Sequence, residues 1–413
     1  MENRFLDTSL PVAGYRAKAL PPPLPARIPA LDGLRGLAAL LVVFHHCFIW
    51  PMLFAKGIVT PKSFQSAYRG DLLPFFLWYG YNGVELFFLL SGFCLLYQVF
   101  VRKDRPFRLK TYAYHRIRRI YPPYVAALFL AVCLAALGWS KINAHLSTAS
   151  EPVSVHAVIA ALTLTGSHYC LPFWSLLVEA QWYLIVPVLA ILWKRSRWLM
   201  HAGIVCFIAL AALLDKSQFL HLHALAVYLP LFWIGILLAD IAAMDGGRAR
   251  LFCQRGLSFS LMAVGVIAIY FYAPPPPVWK ASPAHAYPVA IFYTGLLSLA
   301  LFTKIGRRVF SSNWLVKAGA FSYSLYLIHA LVVYVAIVLM VHYRITGKRE
   351  LILCLTALPA FCIAAGYVFF LAVEQRVMHR ASRLDKRGIV DTSAGIESAH
   401  GQRPPMSGHM IRA

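Results

Sequence analysis

Charged residues are scarce in this 413-residue chain: Asp, Glu, Lys and Arg make up 13% of it, compared with about 25% in a typical soluble domain. Acidic residues are the scarcest, at 16 against 39 Lys and Arg, which gives a net charge of +23. Because 60% of the residues are hydrophobic, the composition excludes a soluble globular protein, a disordered chain and a fibrous protein. The positive charge does not predict nucleic-acid binding, since basic residues of membrane proteins collect near anionic lipid on the cytoplasmic side.

Several catalytic signatures are also absent. The chain has no Walker loop, no Gly-x-Ser-x-Gly elbow, no Gly-x-Gly-x-x-Gly fingerprint and no His-Glu-x-x-His pair. Nothing in the sequence therefore supports a P-loop nucleotidase, a serine hydrolase of the elbow type, a dinucleotide enzyme or a zinc peptidase. The eight cysteines form no Cys-x-x-Cys pattern, so we expect neither a metal site nor a disulfide framework.

Long uncharged apolar stretches are abundant. A transmembrane helix needs about 20 such residues to cross about 30 Å of hydrocarbon. Ten segments fit this pattern, so we predict an all-α, polytopic membrane protein with about ten transmembrane helices. The predicted spans lie near residues 33–53, 74–101, 120–140, 173–193, 198–214, 220–241, 257–274, 284–303, 318–341 and 351–374. The run 155–164 is too short to cross the bilayer and is predicted to be an interfacial or re-entrant piece.

The distribution of basic residues predicts how these spans are oriented. With the N-terminus inside, the inner segments hold 29 Lys and Arg and the outer loops hold nine, with Arg35 in the first span. This asymmetry predicts that both termini are cytoplasmic. Residues 1–30 are proline-rich, lack the apolar segment of a cleavable signal peptide and are expected to form a flexible cytoplasmic tail. Residues 31–377 form the predicted membrane domain, and 378–413 are expected to be a disordered cytoplasmic tail.

Ionisable side chains at membrane depth are costly, so each marks a candidate functional residue. In the first span, Arg35 and His46 are 11 residues apart, which places them on one helix face about 16 Å apart along the axis. Asp32 precedes Arg35 by about one turn. The neighbouring His45 points about 80° away from this face. We interpret Arg35 and His46 as site residues, while a role for His45 stays open.

Two carboxylates lie at membrane depth in other spans. Glu85 in the second span is either a catalytic carboxylate or the buried partner of a cation, and the nearby Ser91 and its following glycine allow another backbone to approach closely. Glu179 in the fourth span has no neighbouring Lys or Arg and needs a partner from another helix, such as a histidine or an arginine. Trp174 begins this span and suits the membrane interface.

The segment 102–119 is the most basic part of the chain and is predicted to be an inner loop, with eight cations in 18 residues. The rule that positive charge stays inside accounts for part of this density. The rest suits a polyanionic ligand, such as a nucleotide with several phosphates, and Arg116 and Arg119 are the candidates to bind it.

The ninth span carries a polar stripe. Ser322, Tyr326 and His329 fall at positions i, i+4 and i+7 of an otherwise apolar helix. Such a stripe must face the interior of the bundle, where it either lines a substrate site or packs helices together.

Six segments in this order resemble the membrane acyltransferase-3 family of bacterial enzymes, which O-acylate surface polysaccharides, lipopolysaccharide O-antigen, nodulation factors and some antibiotics. The matching segments are Leu31-Asp-Gly-Leu-Arg-Gly-Leu-Ala38, the Arg35-x10-His46 pair, Gly83-Val-Glu-Leu-Phe-Phe-Leu-Leu-Ser-Gly-Phe93, Arg116-x-x-Arg119 before Pro122, Trp174-Ser-Leu-x-x-Glu179 and Ser322-Tyr-Ser-Leu-Tyr-x-x-His329. Glu374 matches a weaker family feature, although Glu374-Gln-Arg replaces the Glu-Lys-Pro that many members have at this point.

The resemblance implies an enzyme of the bacterial inner membrane that moves an acyl group, most simply acetyl, from cytosolic acyl-CoA to a hydroxyl of a cell-surface or lipid-linked glycan. Its partners would be acyl-CoA as co-substrate, the glycan acceptor and membrane lipid, with no metal and no nucleic acid; nothing in the sequence sets an oligomeric state. His46 would be the general base, because an imidazole titrates near neutral pH. Glu179 or Glu85 would orient it, and Arg35 would hold the donor.

The other candidates take supporting roles in this interpretation. Arg116 and Arg119 would bind CoA phosphates, and the residues expected to contact substrate are Asp32, Ser91, Trp174, Ser322, Tyr326 and His329. Direct transfer and a covalent acyl-enzyme on Ser, Tyr or His both stay open. The rival interpretation is a transporter or flippase of a glycan or lipid-linked precursor, which the lack of a visible internal repeat disfavours.

Overall fold

The computed structural model describes residues 28–55, 79–102, 106–139, 153–164, 169–214, 223–243, 255–272, 283–345 and 348–379. Within these ranges the regular elements are helical and no strand occurs. The α-helices, in chain order, are α1 Pro29–Ala55, α2 Gly83–Val101, α3 Leu109–Leu134, α4 Val155–Leu162, α5 Trp174–Arg195, α6 Arg197–Leu214, α7 His223–Ala243, α8 Arg255–Tyr272, α9 Pro283–Phe302, α10 Lys304–Phe310, α11 Asn313–Ala320, α12 Ser322–His342 and α13 Lys348–Phe369. The last helix continues through a wider turn at Phe370–Glu374 and stays helical to residue 379.

Each of the ten predicted spans overlaps a helix within the described residues, which confirms an all-α polytopic membrane protein. Among the described residues, seven helices are long and apolar enough to cross a membrane, namely α1, α2, α3, α5, α7, α12 and α13 with its extension. Helix α9 and the short α10 together are long and apolar enough to cross, but they meet at an angle of 96°, which is typical of a broken span or a re-entrant loop. Helices α6 and α8 are apolar but shorter. Helix α4, at eight residues, is too short to cross, as predicted.

The start of the third span differs from the prediction. We expected a basic loop over 102–119 followed by a span from 120, but α3 begins at Leu109, so the loop prediction is wrong from that residue onward. Tyrosine rings lie against the guanidinium groups of Arg116 and Arg118, and the helix runs through Pro122 and Pro123 without ending. Arg116 and Arg119 are therefore held on a helix.

The predicted tails lie almost entirely outside the described residues. The exceptions are at the two boundaries: α1 already begins at Pro29, where Ala30 is buried, and the last helix reaches His379.

Helix α1 packs against α2, α11 and α12. Its closest contacts are made where glycines remove a side chain: the backbone of Gly33 lies against the carbonyl of Phe310, and Gly319 of α11 lies against the carbonyl of Asp32. A Cβ atom at either glycine would collide with backbone, which cannot move aside as a side chain can. These contacts fix the part of α1 that carries Asp32 and Arg35.

Replacing Gly319 with valine is therefore expected to destabilise the folded protein by about 1–3 kcal/mol, the usual cost of overpacking a tight contact. The measurement is the melting temperature and the folded yield in detergent. Gly256→Ala is the matched control, because a Cβ at Gly256 meets nothing within 4 Å. A Gly319→Val variant that melts like the Gly256→Ala variant would contradict this account of the packing.

Candidate active site

A cavity of about 850 Å³ lies among α1, α2, α3, α5, α11, α12 and the end of the last helix. Its lining includes Ile28, Gln98 and His379, so it lies toward the end of the bundle where α1 begins and α2 finishes. The charged side chains in its wall are Asp32, Arg35, Arg116, Arg119, Glu179 and Glu374. Charged side chains from four separate parts of the chain thus meet in one space within a largely apolar bundle.

On the α1 wall, Asp32 and Arg35 form an ion pair. The Nη1 atom of Arg35 lies 3.7 Å from Oδ1 of Asp32, and both side chains keep about a quarter of their surface exposed, 23% and 25%. A pair at this distance and exposure contributes little to stability. Because 3.7 Å is too long for a hydrogen bond, the guanidinium of Arg35 keeps hydrogen-bonding capacity toward the cavity.

On the α3 wall, aromatic rings hold Arg116. Its guanidinium carbon lies 5.9 Å from the ring centroids of both Tyr112 and Tyr183, a cation–π arrangement. The Nε atom of Arg116 is buried and makes no hydrogen bond to any residue that the structure describes. Arg119, one turn further along, also lines the cavity. Burying a guanidinium with one donor unpaired is costly, so the arrangement favours an anionic ligand in the cavity.

Helix α5 contributes three polar residues on one stripe, Ser175, Glu179 and Tyr183. They are spaced four residues apart, and all three line the cavity. The Tyr183 hydroxyl donates a hydrogen bond to Oε1 of Glu179, and the Tyr112 hydroxyl donates to the Tyr183 carbonyl over 3.1 Å. Glu179 thus finds a hydrogen-bond partner on its own helix. Its charge also interacts with that of Arg35 across the cavity.

The end of the last helix supplies a further carboxylate, Glu374, which is buried. The Ser324 hydroxyl donates to its Oε2 over 2.5 Å, and Arg119 interacts with it electrostatically. Ser322, which also lines the cavity, instead donates its hydroxyl to the Gly319 carbonyl over 2.9 Å.

A hydrogen-bonded wall closes the inner end of the cavity. The Tyr326 hydroxyl donates to the Pro172 carbonyl over 2.6 Å and lies 2.7 Å from Oγ of Ser175. Both Tyr326 and Ser175 are buried and line the cavity. The Tyr326 ring separates the cavity from His329, whose ring centroid is 5.6 Å away.

Beyond this wall lie two histidines in contact. Nε2 of His329 is 3.3 Å from Nδ1 of His46, and that same Nδ1 is 2.8 Å from the Val42 carbonyl oxygen. His329 is fully buried, and His46 is 8% exposed. The predicted stripe Ser322–Tyr326–His329 therefore faces the bundle interior, as expected, and runs from the cavity to His46.

Not all of the predicted site residues reach the cavity. His46 and His329 lie beyond its inner wall, and Glu85 is buried in the first turn of α2 outside the lining. Trp174 packs against Phe88 and Tyr228, with ring centroids at 6.2 Å and 5.5 Å, and does not line the cavity. The remaining predicted residues that line the cavity are Asp32, Arg35, Ser91, Arg116, Arg119, Glu179, Ser322 and Tyr326.

The structure changes one expected contact of His46. We expected Glu179 or Glu85 to orient its imidazole, but Glu179 bonds to Tyr183, and the atoms at Nδ1 of His46 are the Val42 carbonyl and His329. A carbonyl of the preceding helical turn is a common partner of a histidine, so a carboxylate is not required.

Sequence reasoning missed several cavity residues. Ser175 and Tyr183 had a usable signal, because each is four residues from Glu179 on the same helix. Tyr112 had the same relation to Arg116. The contact of Ser324 with Glu374 joins residues 50 positions apart and left no local signal.

Comparison with known proteins identifies a family match over most of the chain. The family model described as "Acyltransferase domain" (Acyl_transf_3) matches residues 28–374, which include every charged residue of the cavity wall. The chain is 26% identical over 343 residues to acyltransferase MdmB of Streptomyces mycarofaciens, covering 76% of this chain and 80% of that protein.

Two further relatives match over shorter stretches. Putative acetyltransferase ORF330 of Acidianus two-tailed virus is 27% identical over 206 residues, and peptidoglycan O-acetyltransferase OatA of Listeria monocytogenes is 26% identical over 180 residues. These alignments cover 50% and 41% of this chain, and 54% and 25% of the respective relatives. The chain thus spans about half the length of the first and a quarter of the second. No solved structure matches it. The chain belongs to the acyltransferase-3 family and is a membrane acyltransferase.

Proposed function

We propose that this enzyme transfers an acetyl group from cytosolic acetyl-CoA to a hydroxyl of a cell-surface or lipid-linked glycan, in the bacterial inner membrane. The name of one relative, a peptidoglycan O-acetyltransferase, supports both the acetyl group and the glycan. Membership of the family requires an acyl donor, and the chemistry of the cavity favours a donor with several phosphates.

The observation that carries this proposal is the relation between the arginines and His46. Arg35, Arg116 and Arg119 line one cavity, and Arg35 lies 11 residues, or about 16 Å, from His46 along α1. A CoA thioester has this same division, with phosphates at one end and the reactive carbonyl at the end of a long arm. With the phosphates on the arginines, the arm would extend toward Tyr326 and the histidine pair.

Transfer of the acetyl group then requires a base, a hydrogen-bond donor to the oxyanion and a group that holds acetyl-CoA. Nε2 of His46 would accept the proton of the acceptor hydroxyl, and the hydroxyl oxygen would attack the thioester carbonyl. When the tetrahedral intermediate collapses, the C–S bond breaks and the CoA sulfur takes the proton from His46. The Ser175 hydroxyl at the inner wall would turn from Tyr326 to donate to the oxyanion. Arg35 would hold the donor in place.

The test uses radiolabelled acetyl-CoA with inverted membrane vesicles that contain the enzyme. Label appearing in glycan, or as free acetate when no acceptor is present, supports the proposal. Label that stays in acetyl-CoA, together with movement of a labelled lipid-linked sugar across the vesicle membrane, supports the rival transporter instead. Mass spectrometry of surface glycans from a deletion strain then identifies the acceptor.

Replacing Arg116 and Arg119 with glutamine is expected to raise KM for acetyl-CoA by about tenfold or more, with a smaller change in kcat. A hydrogen bond to a charged group contributes about 1.5–3 kcal/mol, and both residues would contact phosphate in the ground state and the transition state alike. Initial rates at varied acetyl-CoA measure the effect. Lys110→Gln is the control, since Lys110 is an exposed cation on the same helix. An unchanged KM would mean that Arg116 and Arg119 serve packing or topology alone.

The proposal also requires the arginine-lined end of the cavity to face the cytoplasm, where CoA is made. We therefore expect both termini to be cytoplasmic, as the distribution of Lys and Arg predicts. Fusions at residue 413 to a reporter active only in the cytoplasm should be active, and fusions to alkaline phosphatase should be inactive. The opposite pattern would place the arginines on the wrong side for cytosolic acetyl-CoA.

A further inference from the structure

We infer that His329 is a positioning residue, which fixes His46 in the tautomer that can accept a proton, and that it does not contact substrate. This inference rests on the proposed role of His46 as general base. It follows from the hydrogen-bond geometry of the two rings and assigns His329 a role different from the substrate contact that the sequence predicted.

The first step concerns the tautomer of His329. Its Nδ1 lies 3.2 Å from the Leu325 carbonyl oxygen, four residues earlier on α12. A carbonyl oxygen only accepts hydrogen bonds, so Nδ1 carries the hydrogen. A neutral imidazole has one N–H, and Nε2 of His329 is therefore an acceptor. The helix itself sets this tautomer.

The second step derives the tautomer of His46 from that of His329. The acceptor Nε2 of His329 faces Nδ1 of His46 at 3.3 Å, and the Val42 carbonyl faces the same Nδ1 at 2.8 Å. Two acceptors at one nitrogen require that Nδ1 of His46 carries the hydrogen. The lone pair of His46 then lies on Nε2, the nitrogen on the opposite side of the ring, and the base points away from His329.

The Val42 carbonyl and His329 restrict different motions of the His46 ring. The Val42 carbonyl belongs to the helix that carries His46, so it selects the hydrogen-bearing nitrogen and leaves the ring able to tilt. His329 approaches from α12, and its ring is inclined by 57° to that of His46 at a centroid distance of 4.9 Å. Together with the Trp50 ring, whose centroid lies 4.3 Å from that of His46, it fixes the ring plane, and it does so from a second helix. When His46 takes the proton, its Nδ1–H becomes a stronger donor to both acceptors.

The arrangement does the work that a carboxylate does in a Ser-His-Asp triad, but with neutral groups. A buried carboxylate would carry a desolvation cost at this depth, whereas the carbonyl and the second imidazole are already neutral. His329 has no exposed surface, whereas His46 keeps 8% of its surface exposed, so His46 is the imidazole of this pair that can meet a substrate.

Two substitutions at position 329 separate positioning from packing. In His329→Gln, the side-chain oxygen stands as many bonds from Cβ as Nε2 does, so an acceptor for His46 is kept. In His329→Asn, the shorter amide reaches the Leu325 carbonyl but not His46. We expect His329→Asn to lower kcat by about ten- to hundredfold, with KM for acetyl-CoA within about twofold of the native value. The kcat of His329→Gln should stay within about fivefold of the native kcat.

The controls distinguish a failure of this inference from a failure of the proposed role of His46 as general base. His342→Gln alters an exposed histidine on the same helix and should leave kcat unchanged, and folded yield is measured for every variant. The positioning role would be overturned by equal losses in the Gln and Asn variants, by native activity in both, or by a rise in KM with kcat unchanged. In each of these outcomes His46→Ala is still expected to be inactive. An active His46→Ala enzyme would overturn the proposed base itself.

Discussion

Alanine at position 46 is expected to reduce glycan acylation by about 10²–10⁴-fold, while the protein still inserts and accumulates. This is the usual contribution of a general base to the rate. The loss should fall on kcat, because His46 lies beyond the inner wall of the cavity and makes no contact with the phosphate end of the donor. Label transfer from acetyl-CoA in membranes measures the rate, and immunoblotting measures accumulation.

The neighbouring histidine provides the matched control. His45 lies with its ring centroid 5.3 Å from that of Tyr81, and it is His46 whose Nδ1 contacts His329. His45→Ala should therefore reduce activity far less than His46→Ala. If His45→Ala is inactive and His46→Ala is active, the two assignments must be exchanged. If both variants and the double variant keep full activity, the first span has no base and the mechanism fails.

Alanine at position 35 is expected to lower kcat/KM for acetyl-CoA by about ten- to hundredfold. The guanidinium would donate charge-assisted hydrogen bonds to the donor, each contributing about 1.5–3 kcal/mol. Lysine at this position should restore activity only in part, because an ammonium group cannot make the planar two-point contact of a guanidinium. Steady-state kinetics of the native, lysine and alanine enzymes give the comparison.

An exposed arginine near the same end of the bundle serves as the control for Arg35. Arg307 on α10 lies outside the cavity lining, and its replacement by alanine should leave kcat/KM unchanged. Asp32 forms an ion pair with Arg35, so Asp32→Asn tests whether the effect depends on that pair. Native kinetics in Arg35→Ala would show that Arg116 and Arg119 suffice to bind the donor.

Periodicity within single helices predicted much of the site. The stripe on α12 was expected to face inward, and its three residues are buried; the spacing of four on α5 extends from Glu179 to residues that also line the cavity. Such features follow from local sequence, because side chains four residues apart share a helix face whatever surrounds the helix. The apolar runs located the helices for the same reason.

Contacts between distant segments could not be predicted in this way. The contact of His46 with His329 joins residues 283 positions apart, and the hydrogen bond of Ser324 to Glu374 joins residues 50 positions apart. The early start of α3 escaped prediction because its arginines lower the hydropathy of the segment, while the rings that hold Arg116 include Tyr183 of another helix. Only the packed bundle shows that these cations are tolerated.

The closed wall at Tyr326 and Ser175 also matters for the bilayer. A cavity that enters from one side brings water and dissolved ions deep into the protein, so the electrical potential of that side extends inward with them. Where this wall excludes water, the transmembrane voltage would fall mainly across the layer between Tyr326 and the opposite face. A charge crossing this layer does work of about 2.3 kcal/mol per 100 mV. The hydrogen bonds of Tyr326 would then help to insulate the membrane as well as to bound the cavity.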